Sequence, residues 1–147
     1  MKILYNEPMK NHTSFKVGGP VDTFIEPQDT KELIEAIKSL REKGISYYII
    51  GNGTNLLISD KGLNGAIVKI GESFGNISIN GDMIIAESGV LLSTLSKMTA
   101  REGLTGLEFA SGIPGSLGGA VTMNAGAYGG EMKDVIEWVE VLDKDLN

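Results

Sequence analysis

Glycine is concentrated in one stretch of this chain, and that concentration limits what the stretch can become. Nine of the 20 glycines fall between Gly103 and Gly130. Glycine loses more conformational freedom on folding than any other residue, so dense glycine marks unusual backbone angles or a close approach to something. Ile113, Leu117, Val121 and Met123 interleave these glycines, which separates the stretch from a flexible low-complexity linker. From Phe109 to Gly130 no residue is charged. Such a bare, uncharged backbone suits a flat and partly apolar ring system. A tightly packed glycine-rich helix contact is the plainer alternative. Ser116, at the start of a short helix, offers a hydroxyl to a phosphate or ring oxygen.

A second loop, Gly51-Asn52-Gly53-Thr54-Asn55-Leu56, follows an apolar run that reads as a strand. It opens like a dinucleotide fingerprint, but Leu56 stands where GxGxxG needs its third glycine. Glu72 sits about where a ribose-binding acid would be expected. Asp60, Gly62 and Asn64-Gly65 leave no room for the crossover helix of a Rossmann unit, so that match is accidental. GxxxxGK[ST] is absent, which excludes a P-loop NTPase on pattern. Gly51 and Gly53 let backbone N–H groups converge, and Thr54 and Asn55 add side-chain donors; such a concavity binds phosphate oxygens. No Lys or Arg lies between Gly44 and Asp60, so a phosphate here is held by backbone and neutral groups. A plain strand-to-loop turn is the competing reading.

The rest of the chain supplies a scaffold. Residues 1–28 read as a lead-in with one or two short strands, a Gly18-Gly19-Pro20 turn, and a strand from Val21 to Glu26. Asp29 to Lys43 is the clearest helix: Asp29 and Glu32 form a capping-box pattern, Leu33, Ile34, Ile37 and Leu40 make one stripe, and Gly44 ends it. Tyr47 to Ile50 suits a buried parallel strand, and Ala66 to Ile70 a further strand. Asn80-Gly81-Asp82 between Ile77–Ile79 and Met83–Ala86 is a hairpin signal. A second helix is expected over Leu91 to Arg101, with Leu92, Leu95 and Met98 on one face. Val135 to Leu142 alternates with β-branched residues and predicts a strand. The following Asp143-Lys144-Asp145 is turn-like, so a returning strand is expected beyond it and the chain is expected to be a fragment. The outline is an α/β lobe over residues 1–70 and a more antiparallel lobe over 71–147.

Composition removes several classes. There is no cysteine, hence no disulfide or thiolate metal site. The formal net charge is −6 with scattered basic residues, which argues against nucleic acid or an anionic membrane as partner. No apolar run reaches the ~18 residues of a membrane span. A cytoplasmic location fits. The acidic set Glu131, Asp134, Glu137 and Glu140 reads as a solvated face rather than a metal site, Trp138 as core, and Arg101 as a helix surface charge.

Gly51 to Leu57, Gly112 to Ala120 and Asn124-Ala125-Gly126-Ala127-Tyr128-Gly129-Gly130-Glu131 closely resemble the FAD-binding region of the MurB-type UDP-N-acetylenolpyruvoylglucosamine reductases. Asn11-His12-Thr13-Ser14-Phe15 with Gly18-Gly19 resembles that family's start. The resemblance implies a vanillyl-alcohol-oxidase-type FAD fold, in which two α/β lobes hold noncovalent FAD and a further domain binds the UDP-sugar. By that resemblance Asn52, Gly53, Thr54, Asn55 and Leu56 contact the FAD pyrophosphate. Gly112, Ile113, Pro114, Gly115, Ser116, Gly118 and Gly119 line the rest of the cofactor. Gly126 and Tyr128 lie near the flavin or the active-site opening, and Ala86 to Gly89 pass near it. The family reaction uses NADPH to reduce an enolpyruvyl UDP-sugar, and its catalytic serine, arginine and glutamate are expected beyond residue 147. No catalytic residue is therefore assigned in this chain. Two other readings stay open: a stand-alone flavin- or nucleotide-binding module without turnover, and another oxidase of the same FAD fold. His12 reads as a structural or solvated residue rather than a flavin attachment point, since the family it resembles holds FAD noncovalently.

Overall fold

Strand β1 (Lys2–Pro8) pairs antiparallel with β2 (Pro20–Glu26), placing Leu4 opposite Phe24. Both β2 and β3 (Tyr47–Ile50) run parallel to β4 (Leu63–Lys69), which gives the order β1-β2-β4-β3. The computed structural model describes residues 1–147. Helix α1 (Thr30–Glu42) connects β2 to β3. Its start follows from the capping pattern: Asp29 Oδ1 accepts from the Glu32 N–H at 2.8 Å, and the Glu32 carboxylate accepts from the Gln28 N–H at 2.8 Å. Gly44, with φ of 64°, ends it.

The sheet carries a core on each face. Leu33, Ala36, Ile37 and Leu40 of α1 pack on Ile25, Ala66, Val68 and Phe74. Met9, Val21, Phe24, Ile50 and Ile67 fill the opposite face. Each such aliphatic side chain contributes about 1.5–3 kcal/mol by leaving water. β3 is parallel as expected but not buried. It is the sheet edge, with Tyr48 and Ile49 more than half exposed. The connection from β3 to β4 contains no helix, so no Rossmann crossover exists.

The second half is built of small pieces. β5 (Ile77–Asn80) and β6 (Met83–Ala86) form a hairpin turning through Gly81 and Asp82. α2 (Leu92–Arg101) buries Leu92, Leu95, Ser96 and Thr99. Met98 is only half-buried; Thr99 takes the buried face because its hydroxyl is satisfied by the Ser96 carbonyl at 2.9 Å. α3 (Leu117–Thr122) precedes the short pair β7 (Gly126–Ala127) and β8 (Gly130–Glu131). Leu92, Phe109, Ala110, Ala120 and Met132 form their core.

Val135 to Leu142 is not a strand. A strand is made by its partners as much as by its own residues, and no strand of this chain lies beside this one. Trp138 is consequently 56% exposed rather than core. The segment instead crosses to the first half. Leu142 and Leu146 pack on the α1 core, and Arg41 Nη1 donates to the Lys144 carbonyl at 2.7 Å. Arg41 Nε also donates to the Tyr47 hydroxyl at 3.1 Å. No helix is long and apolar enough to cross a membrane.

Candidate cofactor-binding cleft

The two glycine loops meet across one cleft of about 270 Å³. Its first wall is the end of β3 and the loop from Gly51 to Leu56, and its second is Pro114 to Ser116 with Gly119 and Ala120 of α3. Thr54 joins them directly, donating its hydroxyl to the Pro114 carbonyl at 3.3 Å across 60 residues of sequence. The fit at Gly51 is closer still: a β-carbon there would collide with Ser116 Oγ.

Each wall is held from behind. Gly53 has φ of 66°, and a β-carbon on it would strike the His12 carbonyl, so only glycine lets the loop lie there. Ser14 N–H donates to the Gly53 carbonyl at 3.1 Å. His12 is itself fixed, stacked on Phe24 with ring centroids 4.1 Å apart and 2.9 Å from Glu7 Oε1. That hydrogen bond holds the Glu7 carboxyl below its ordinary value of 4.5. His12 is thus a support beneath the loop and does not line the cleft. On the other wall, Leu92 N–H donates to the Gly115 carbonyl, Leu117 N–H to Val90, and Gly118 N–H to Ser88, at 3.1, 2.7 and 2.8 Å.

The donor chemistry of the cleft is unbalanced. None of the backbone N–H groups from Gly51 to Asn55 donates to an acceptor within the chain. The Ser116 hydroxyl has no hydrogen-bond partner in the chain either; the residue is largely buried, but no unpartnered side-chain oxygen is closed off from solvent, so this one opens to the cleft. Unpaired donors of this kind are costly unless solvent or a ligand satisfies them. None of the fifteen lining residues is charged. Convergent N–H groups and hydroxyls beside Ile49, Ile50, Leu56 and Met123 fit a ligand that is anionic at one part and apolar at another. A flavin dinucleotide has that character.

A family model described as an FAD binding domain matches residues 21–145. The chain belongs to this family. It is 55% identical over 141 residues to the UDP-N-acetylenolpyruvoylglucosamine reductase of Alkaliphilus oremlandii, covering 96% of this chain and 46% of that protein. It is 56% identical over 146 residues to the reductase of the same name from Caldanaerobacter subterraneus, covering 99% and 48%. The chain therefore spans about half the length of the curated relatives it matches. Among solved structures, the MurB reductase of Thermus caldophilus superposes with a TM-score of 0.70 at 34% identity, covering 90% of this chain and 45% of that one. GilR, an oxidoreductase of gilvocarcin biosynthesis, superposes at 0.59 over 86% of this chain and 27% of that one, with 14% identity, and shares the fold alone. The cofactor of this FAD-binding domain is FAD, and the chain carries the two-lobed fold that the reductase family shares.

Of the residues expected at the cofactor, Asn52, Gly53, Thr54, Asn55, Leu56, Pro114, Gly115, Ser116 and Gly119 line the cleft. Gly112, Ile113, Gly118, Gly126 and Tyr128 are not among the lining residues. Ile113 packs on the core formed by Leu92, Phe109, Ala110, Ala120 and Met132, and Gly118 lies so close to Ser88 that a β-carbon would come within 2.7 Å of it. Ser88 thus supports α3 from behind. Tyr128 sits at the tip of the β7–β8 hairpin, 98% exposed with φ of 52°, beside a separate concavity bounded by Gly106, Glu108 and Phe109. Ile49, Ile50, Gly51, Ala120, Met123 and Ala125 also line the cleft, beyond the expected set. Gly51, Ala120 and Ala125 lie within the three motif blocks and Met123 borders the last, so motif membership or adjacency is the signal that points to them. Glu131 is no freely solvated acid: it bonds Asn124 Nδ2 at 2.8 Å and pairs with Lys133.

Proposed function

We propose that this chain is the FAD-binding portion of an NADPH-dependent UDP-N-acetylenolpyruvoylglucosamine reductase, which forms UDP-N-acetylmuramate for peptidoglycan synthesis in the cytoplasm. The observation that carries the reading is the run from Gly51 to Asn55, whose N–H groups have no acceptor in the chain and which lines an uncharged cleft together with Ser116. Bound FAD supplies the hydride chemistry. The chain's own contribution is binding and orientation. Asn52 to Leu56 hold the pyrophosphate with backbone N–H groups and the side chains of Asn52, Thr54 and Asn55. Pro114 to Gly119 carry the remainder of the cofactor, with Gly112, Ile113 and Gly118 shaping that wall from outside it. Gly126 and Tyr128 stand toward the opening. The lobes that close on the cofactor are residues 1–70 and 71–147.

No group in the cleft is an acid, a base or a cation, so the proton transfer and carboxylate stabilisation that enol-ether reduction requires are not assigned to this chain. It binds FAD without turning over the sugar nucleotide. The test is direct. The purified chain is mixed with excess FAD, freed of unbound cofactor by gel filtration, and its visible spectrum recorded. A co-eluting flavin band that is released on denaturation supports the reading. A chain that is folded by circular dichroism yet emerges colourless overturns it.

A further inference from the structure

Helix α3 ends in a left-handed residue, Asn124, with φ of 44°. The pattern is that of a Schellman cap: Ala125 N–H donates to the Ala120 carbonyl at 2.8 Å and Asn124 N–H to the Val121 carbonyl at 3.1 Å. Glycine is the usual occupant of that position, and this segment uses glycine freely. The side chain gives the reason for asparagine. Asn124 Nδ2 donates to Glu131 Oε2 at 2.8 Å, and Asn124 Oδ1 accepts from the Lys133 N–H at 3.0 Å.

Those two contacts close a ring. Glu131 and Asp134 cap the 3₁₀ turn Met132–Asp134 reciprocally, and Glu131 also pairs with Lys133 Nζ. Met132, 2% exposed, donates its N–H to the Ala125 carbonyl at 3.0 Å. The end of α3, the β7–β8 hairpin and the turn after it are therefore tied at one amide. The residues on either side of that amide, Met123 and Ala125, line the cleft. Asn124 itself does not.

We propose that Asn124 is a positioning residue for the cofactor: its side-chain amide holds the Met123–Ala125 wall of the cleft against the β7–β8 hairpin. The inference rests on the FAD reading above. Asn124→Gly separates the two roles of the residue, because glycine keeps the left-handed cap and removes only the side-chain ring. The free 147-residue variant is expected to melt close to the wild-type temperature, because relief of the left-handed strain offsets the two lost hydrogen bonds. Its FAD dissociation constant, from flavin fluorescence titration, is expected to rise about tenfold as the Met123–Ala125 wall loses its anchor. Glu131→Gln, which keeps an acceptor for Asn124 but removes its charge, is expected to weaken FAD binding less than Asn124→Gly does.

Equal FAD affinity of wild type and Asn124→Gly overturns the proposal. A parallel fall in melting temperature and affinity, or failure of the variant to fold, also overturns it, because Asn124 is then only a structural cap. If wild type itself takes up no FAD, the parent reading fails and this one falls with it.

Discussion

Single residues in this fold are held in conformations they would not choose. Tyr128 is the clearest, a nearly fully exposed tyrosine in the left-handed region at a two-residue hairpin tip beside Gly129 with φ of 87°. A left-handed residue with a β-carbon costs about 1–2 kcal/mol, and no packing offsets it. Tyr128→Gly is therefore expected to stabilise the free chain by ~1 kcal/mol, raising its melting temperature by ~2–4 °C. An unchanged melting curve would show that no strain is stored there. Glu7 makes a different prediction. Its carboxyl is held low chiefly by the hydrogen bond with His12. A depressed carboxylate stabilises the fold fully above its ordinary value and loses that contribution as pH falls through the lowered one. Glu32 is shifted the same way by the N-terminal amine, Glu131 by Lys133, and Asp143 by the Asn147 N–H. Stability measured by urea unfolding is expected to decline below about pH 4.5, and less steeply in Glu7→Gln. Superimposable pH profiles for the two proteins would refute the role of the Glu7–His12 contact.

At the level of elements, what can be read from the chain depends on where the signal resides. α1 announces itself locally, through Asp29, Glu32, Leu33, Ile37, Leu40 and Gly44, which the structure places as expected, while Ala36 rather than Ile34 completes the buried stripe. The hairpin at Gly81-Asp82 is equally local. The strand expected over Val135 to Leu142 does not form because a strand requires a neighbour, and alternation in the chain cannot supply one. β3 is legible as a parallel strand but not as an edge, since edge position belongs to the sheet order. The glycine loops stand out by composition and motif. Met123 does not, because an ordinary residue becomes a cleft wall only through the packing of α3. Ile37, 2% exposed at the centre of the α1 stripe, provides the test of that helix. Ile37→Ala is expected to cost about 2–5 kcal/mol, read as a lower denaturation midpoint at unchanged slope. A cost under ~1 kcal/mol would mean that the α1 face is not a tightly packed core.

The whole molecule carries a net charge of −6 around a cleft lined by no charge at all. An anionic dinucleotide approaching it meets long-range repulsion and no compensating cation. Raising salt screens that repulsion and removes no contact. The FAD dissociation constant is therefore expected to stay level or fall slightly between roughly 50 and 500 mM salt. A tenfold weakening would reveal a cationic contact that this cleft does not contain. Several structural ties join the halves away from the cleft, among them Arg41 to the Lys144 carbonyl, and Phe74, Leu142 and Leu146 on the α1 core. At the cleft, besides Thr54 on the Pro114 carbonyl, the halves interlock at Gly51 and Ser116, where a hydroxyl from one half occupies the place of a β-carbon on the other. In descent this couples the two positions. Alanine at position 51 requires the Ser116 hydroxyl to turn to another rotamer, because its Oγ is the one atom in the way and the next neighbour lies at 3.6 Å. A chimaera spliced between the halves therefore inherits the setting of that hydroxyl from one parent and the space it must leave from the other.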